Sequence, residues 1–166
     1  MAADIRFAAS ADLNRLVEIY NHYVLETHIT FDTEPFAVAE RIQWFNQFAE
    51  TGRYRLLVAE TDGDIVGYAS STCFKPRAAY NTSVETTIYM DPEHLGNGTG
   101  ELLYGALVKQ MIAEASVHRA YAGIAQPNES SMALHAAFGF NRAAHYREVG
   151  RKFDRYWDVI WLERAL

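Results

Sequence analysis

The order of elements legible in this chain predicts an α+β fold, a mixed sheet with helices on its faces. Three observations lead there. Two strand-like runs, Arg55 to Glu60 and Ile65 to Phe74, flank Thr61-Asp62-Gly63-Asp64, and an Asp-Gly pair between such runs signals a hairpin. A strand from Val84 to Met90 leads through a glycine-rich loop into a helix. Two further strands, Asn141 to Val149 and Tyr156 to Glu163, follow a short helix, with GRKFDR as their turn. Neither regular βαβ alternation nor an all-β array fits that order.

Taken in order, Ile5 to Ala8 is a short strand, and Ser10 is placed to cap a helix from about Ala11 with Asp12 in its first turn. Leu13, Leu16, Val17, Tyr20 and Val24 follow the i, i+3, i+4, i+7 spacing of one buried face. Beyond the polar segment ETHITFDTEPF, which carries Phe31, Pro35 can open a second helix. Phe36, Ile42, Phe45 and Phe48 mark its apolar side, and Thr51-Gly52 stops it. The hairpin follows, then the loop KPRAAYNTS with Lys75, Arg77 and Tyr80. Asp91-Pro92 ends the Val84 strand, because proline cannot donate to a ladder. A helix runs from Glu101 to about Ser116, and a strand from Arg119 to Ile124. Ser130 or Asn128 caps a short helix through Ala137, which Gly139 ends.

At 166 residues the chain is the size of one domain, expected to span 1–166. Its 49% apolar and 22% charged composition is that of a soluble globular protein. A net charge of −6 without a block of like charges argues against a nucleic-acid partner. No apolar stretch approaches the roughly 20 residues that cross a bilayer, so no membrane partner is expected. MAADIRFAAS lacks the apolar run of a signal peptide, which makes the cytoplasm the expected location. Cys73, the one cysteine, has no disulfide partner and reads as a buried apolar thiol, not a nucleophile. The six histidines show no ligand spacing, and no metal is expected.

Gly96, Gly98 and Gly100 fall at alternate positions just before a helix. Lacking Cβ atoms, they bring backbone N–H groups close to a ligand, and the helix N-terminus favours negative charge, so a phosphate is expected there. The spacing is G-x-G-x-G after the fourth strand, which is not the dinucleotide pattern, and Gly100 is followed by Glu101, which is not the Walker pattern. An acyl-coenzyme A pyrophosphate and a plain tight turn remain. In the strand before the loop, Val84, Thr86, Ile88 and Met90 share one face, and Glu85, Thr87 and Tyr89 the other. A glutamate amid an apolar sheet is costly unless it has a task or a partner. Glu85 is either a base or a rim carboxylate paired to a Lys or Arg.

YMDPEHLGNGTGELLYGAL resembles motif A of the GNAT superfamily of acyl-CoA N-acyltransferases, and NESSMALHAAFGF is similar to its N-x-x-S-x-x-L-[YH]-x-x-x-G-F segment. NHYVLETHITFDTEPF, FKPRAAYNTSVETTIYMDP, AGIAQPNESSMALHAAFGF and REVGRKFDRYWDV resemble the phosphinothricin N-acetyltransferase branch, in the same order. Leu95 stands where motif A has Gln or Arg, and Asn97 where the branch is often basic. The resemblance implies a twisted, mostly antiparallel sheet with helices on both faces. It also implies acetyl-CoA as acetyl donor, a small-molecule amine as acceptor and a homodimer. Cofactor contacts would come from Ile88, Tyr89 and Met90, from Leu95, Gly96, Asn97, Gly98, Thr99 and Gly100, and from Asn128 and Ser131.

By the same resemblance Glu85 takes the amine proton, directly or through water, and His135 donates a hydrogen bond to the leaving thiolate. Lys75, Arg77 and Tyr80 meet the anionic end of the substrate, and Phe31 lines its pocket. The implied reaction is direct attack by the α-amine of an amino-acid analogue such as phosphinothricin. Methionine sulfoximine, methionine sulfone, other amino acids or a protein N-terminus are alternative acceptors, although Lys75 and Arg77 speak against the last. A non-catalytic acyl-CoA-binding regulator is a further alternative, against which Glu85 and His135 stand.

Overall fold

The computed structural model describes residues 3–166; Met1 and Ala2, the start of the expected domain, lie outside the described residues. Seven strands form a sheet: β1 (Asp4–Phe7), β2 (Leu56–Thr61), β3 (Asp64–Cys73), β4 (Ser83–Met90), β5 (Arg119–Ala125), β6 (Asn141–Lys152) and β7 (Arg155–Ala165). Their spatial order is β1-β2-β3-β4-β5-β7-β6. Every neighbouring pair is antiparallel except β4 and β5, which are parallel. The expected α+β class holds.

Strand alternation sends side chains to two cores. On one face, Leu57, Val84, Ala120 and Phe140 pack with Leu103, Leu107 and Met111 of α3 (Thr99–Ala113), beside Met132 and Leu134 of α4 (Glu129–Ala137). On the other, Leu56, Val58 and Tyr68 pack with Leu16, Ile19 and Val24 of α1 (Leu13–Glu26). Helices therefore cover both faces, as expected.

Several boundaries differ from the expectation for local reasons. Ser10 does not cap α1. A 3-10 turn, Ser10–Asp12, precedes the helix, and the Asp12 carboxylate accepts from the Ala9 N–H at 2.7 Å while pairing with Arg6. Pro35 opens no helix. The Asn21 side chain bonds both the Phe36 N–H and its C=O at 2.9 Å, which holds Phe36 outside any helix. A 3-10 turn, Val38–Arg41, and the single α-turn α2 (Ile42–Phe45) follow. GRKFDR is largely strand, with Gly150, Arg151 and Lys152 opposite Trp157, Tyr156 and Arg155, so the turn is Phe153-Asp154. Cys73 is exposed at the end of β3, where its thiol donates to the Lys75 carbonyl at 3.0 Å.

One irregularity positions everything that follows. β4 and β5 pair only at Ser83–Arg119, Val84–Ala120 and Glu85–Tyr121. Beyond that, β4 stays with β3 as far as Met90, and β5 stays with β7 as far as Ala125. The two strands part like the prongs of a fork. The Asp91 N–H donates to the Val66 carbonyl at 2.8 Å, and backbone groups alternate along an antiparallel ladder. The N–H groups of Ile88 and Met90 therefore face the gap.

Candidate active site

The gap between the prongs opens into a cleft of about 390 Å³, within the range of small-molecule sites. Thr86 to Met90 form one wall and Ala122 to Ala125 the other. Leu95, Gly96, Gly98 and Gly100 close one end, and Asn128, Ser131 and His135 line the other. Ile88 and Met90 thus stand around one cavity with most of the glycine loop and the start of α4, on the face that carries α3, while Tyr89, also on the cleft wall, packs its ring into the α1-side core.

The loop is built for close approach. Gly96 and Gly98 have φ of +76° and +85°, conformations that cost an L side chain, and a Cβ at either would meet nothing within 4 Å. The turn opens towards solvent at the start of α3, where the helix dipole favours an anion. Asn97 and Thr99 flank this cradle. Gly98 is the N-cap of α3 and carries no side-chain cap, while the Asn97 side chain, one residue earlier, accepts from the Thr99 N–H at 3.0 Å in a local turn, so the Thr99 amide already has a partner. Leu95 is exposed beside the loop. Leu95 and Asn97 supply no positive charge here, and Glu101 in the first turn of α3 lines the cleft, but the backbone cradle is present.

At the other end Asn128 is the N-cap of α4, accepting from the Ser131 N–H at 3.2 Å, and Ser130 does not take that role. His135 is buried at 2% exposure. Its Nδ1 lies 2.8 Å from the Ser131 carbonyl, and since a carbonyl only accepts, Nδ1 carries the proton. Nε2 is then a lone-pair acceptor, buried without a hydrogen-bond partner among the described residues. Burial pushes the imidazole pKa below its usual value, against the opposing pull of the Ser131 carbonyl. The ring is therefore set up to accept, whereas donation to a thiolate needs a second proton on Nε2.

Glu85 does not line the cleft. It projects from the opposite face of β4, at the closed end of the fork, between Thr72 of β3 and Tyr121 of β5. Burial alone raises its carboxyl pKa, with no cation contributing. The rim reading, a Glu paired to Lys or Arg, has no support in its surroundings. Phe74 stacks on Tyr121 at 4.3 Å and meets Trp161 edge-on at 5.8 Å, so aromatic rings border the acid.

Lys75 and Tyr80 adjoin that aromatic group, with the Lys75 Nζ 5.4 Å from the Phe74 ring and Tyr80 edge-on to it at 6.0 Å. Arg77 is exposed in the same loop. Phe31 lies on the α1 side too, with its ring against Gly150 of β6. None of these four lines the cleft. Apart from Tyr89, whose ring lies on the α1 side, the predicted cofactor and substrate residues thus fall on two sides of the sheet, with the fork as the passage between them.

Some residues in the site went unread in the sequence. Tyr23 of α1 lines the cleft and donates to the Met90 carbonyl at 2.6 Å. It lies three residues after Tyr20 on the buried face, a spacing that could have flagged it. The Thr86 hydroxyl meets the Tyr104 hydroxyl at 2.8 Å and the Tyr121 carbonyl at 3.3 Å, tying α3 to both prongs at their root. Nothing in the local sequence announces that link. Among the described residues, no group of three or more His, Cys, Asp or Glu side chains could hold a metal, and no helix is long and apolar enough to cross a membrane.

Residues 5–161 match the family model described as Acetyltransferase (GNAT) domain. The chain is 55% identical over 165 residues to a protein of Streptomyces coelicolor named phosphinothricin N-acetyltransferase, covering 98% of this chain and 95% of that one. It is 33% identical to an L-methionine sulfoximine/L-methionine sulfone acetyltransferase of Salmonella typhimurium, over 98% of this chain and 94% of that one. A GNAT superfamily phosphinothricin acetyltransferase from Sinorhizobium meliloti, solved in complex with AcCoA, superposes with a TM-score of 0.94 at 35% identity, covering 100% of this chain and 89% of that one.

Proposed function

The chain belongs to the GNAT acetyltransferase family, and from that premise we propose that it transfers acetyl to the α-amine of a small anionic amino-acid analogue of the phosphinothricin kind. That it is an acetyl-CoA-dependent N-acetyltransferase follows from its relatives and fold. The observation that carries the reading of the site is the fork, a gap in the sheet whose one side is a glycine-rimmed cleft and whose other side holds an unpaired, half-buried acid.

Acetyl-CoA supplies the thioester that the amine attacks. Its pyrophosphate fits the Gly96 to Gly100 cradle, where backbone N–H groups stand in for the missing basic side chains. The Ile88 and Met90 N–H groups act as a neighbouring strand would, and the Met90 N–H polarises the acetyl carbonyl. Tyr23 donates to the Met90 carbonyl and so fixes the peptide unit that follows this N–H. Glu85 takes the proton that the attacking nitrogen sheds, directly or through water, and its raised pKa suits a base working near neutrality. Transfer would form the C–N bond and break the thioester C–S bond, and the leaving thiolate would take its proton from solvent, since His135 offers Nε2 at the cleft wall as an acceptor. Cys73 is exposed, with its thiol donating to the Lys75 carbonyl, and among the described residues no His, Asp or Glu side chain is hydrogen-bonded to it, which supports direct transfer over a covalent enzyme intermediate.

Lys75, Arg77 and Tyr80 receive the acidic end of the amine substrate, with Phe31 as a wall. A guanidinium recognises carboxylate or phosphinate through two parallel hydrogen bonds. One domain over 1–166 working as a cytoplasmic homodimer completes the proposal, and the exposed Tyr146, Val149, Phe153 and Tyr156 of the β6–β7 hairpin favour self-association. The test is thiol release from acetyl-CoA with a panel of amines. Phosphinothricin should give a higher kcat/KM than methionine sulfoximine or methionine sulfone, and Arg77→Ala should raise KM for the anionic amine by about tenfold or more. Equal rates across the panel would point to an acceptor of another class, and an unchanged KM would remove Arg77 from the pocket.

A further inference from the structure

Residues 27–37, between α1 and the 3-10 turn at Val38–Arg41, belong to no ladder, yet Ile29 and Phe36, on either side of Phe31, pack into the α1-side core, on the face that carries Glu85. The β6–β7 hairpin, more than a hundred residues later in the chain, holds them. Lys152 of β6 is 5% exposed, and its Nζ donates to the Thr30 carbonyl at 2.8 Å and to the Tyr23 carbonyl at 3.4 Å. Trp157 of β7 stacks on His28 with ring centroids 4.1 Å apart. Gly150 of β6 leaves room for the Phe31 ring, which a Cβ there would overlap. Thr30 is held from the α1 side as well, its hydroxyl 2.7 Å from that of Tyr20, which also bonds Asp32.

A buried ammonium facing neutral carbonyls is a costly way to pin a loop, and a long apolar side chain would fill the same space without that cost. What Lys152 adds is direction. The Tyr23 carbonyl keeps a second donor, the Thr27 hydroxyl at 2.8 Å, so the bond to Thr30, one residue before Phe31, is where the loss of Lys152 would be felt. Asp32 is the acidic group whose field favours the charged lysine, while burial lowers its pKa.

We propose that Lys152 is a positioning residue for the amine substrate: by gripping the Thr30 carbonyl it fixes Phe31 over the acid-bearing face and so sets which amines fit. This rests on the proposed amine site beside Glu85. Without the grip, the Phe31 wall moves and binding of the amine weakens; Lys152 and Phe31 do not line the acetyl-CoA cleft, although the neighbouring Tyr23 and Ile29 do, so the amine side feels the loss first.

The experiment is steady-state kinetics of Lys152→Met with each substrate varied, together with hydrogen exchange of the free proteins. Lys152→Met should raise KM for the amine by about tenfold, as for one lost hydrogen bond to a charged group, and leave kcat and the KM for acetyl-CoA within about twofold. Amides of residues 28–33 should exchange faster while those of β4 are unchanged. Should Lys152→Met fail to fold, Gly150→Ala, which displaces the Phe31 ring directly, should give the same split. If residues 28–33 keep their protection, or if kcat and both KM values move together in the folded variant, the proposal is overturned. The wild-type enzyme separates this outcome from failure of the functional reading: if it prefers an amine outside the amino-acid class, that reading falls, and the KM split is then read with the preferred amine.

Discussion

Glu85, half-buried, and His135, fully buried, are both titratable and both shifted by burial, in opposite senses and with opposite consequences. Burial raises the Glu85 pKa, so the folded state holds its proton to higher pH than the unfolded chain does. Stability then falls as pH rises from the ordinary carboxylate pKa through the raised one. Glu85→Gln should therefore be more heat-stable than the wild type at pH 8, with the advantage vanishing in acid, as thermal unfolding at several pH values would show. The same variant should lose about 100-fold or more in kcat/KM and lose the acidic limb of the pH–rate profile. Full retained activity would remove the assigned base. For His135 burial lowers the pKa, so the neutral ring dominates at pH 7. An imidazolium acid would make kcat fall with rising pH above that lowered value. An acceptor predicts no such fall, and His135→Gln should keep the profile shape with a loss well short of the roughly 100-fold expected for a missing general acid.

At the scale of elements, the strand–loop–helix unit from β4 to α3 carries the cofactor side. Positive φ at Gly98 makes Gly98→Ala cost about 1 kcal/mol in strain, and crowding of the cradle should raise KM for acetyl-CoA while the amine KM stays put. A thermal melt and two substrate titrations check both halves, and an unchanged acetyl-CoA KM would free the loop of its assigned role. This unit was legible in the sequence because its signals are local: a β-rich run, Asp-Pro, three alternating glycines, then good helix formers. The resemblance implies Asn97 and Asn128 as cofactor contacts, with capping as the simpler possibility for Asn128; Asn128 does cap α4, while Asn97 bonds the Thr99 N–H in a turn ahead of the Gly98 N-cap. Less legible was the region around Pro35, since proline permits a helix start but the Asn21 side chain, fifteen residues away, decides against it. The β6–β7 turn was misread for a similar reason. Gly150 looks like a turn residue, but it is needed for the Phe31 ring.

Across the whole molecule, function depends on a register no local pattern encodes. β4 must keep β3 while β5 leaves it for β7, and only three β4–β5 pairs form before the split. The sequence resemblance implied which residues serve the cofactor and which the amine, and it fitted them to an α+β sheet. It did not say that the two groups, Tyr89 apart, stand on opposite faces, nor that Tyr104, Thr86 and Tyr121 fasten the fork where it begins. Those facts come from long-range contacts between segments that look unremarkable alone. Lys152 belongs with them: a lysine in a hairpin reads as solvated until the fold buries it against Thr30.

The central claim is that the cofactor enters through the sheet. The direct measurement is a crystal structure of this protein with coenzyme A. The account predicts the pyrophosphate on the Gly96–Gly100 loop, the pantetheine arm between Ile88–Met90 and Ala122–Ala125, and the sulfur at the fork within reach of an amine held by Glu85. A sulfur lying on the outer surface of α3 or α4, with the gap between β4 and β5 still empty, would contradict it.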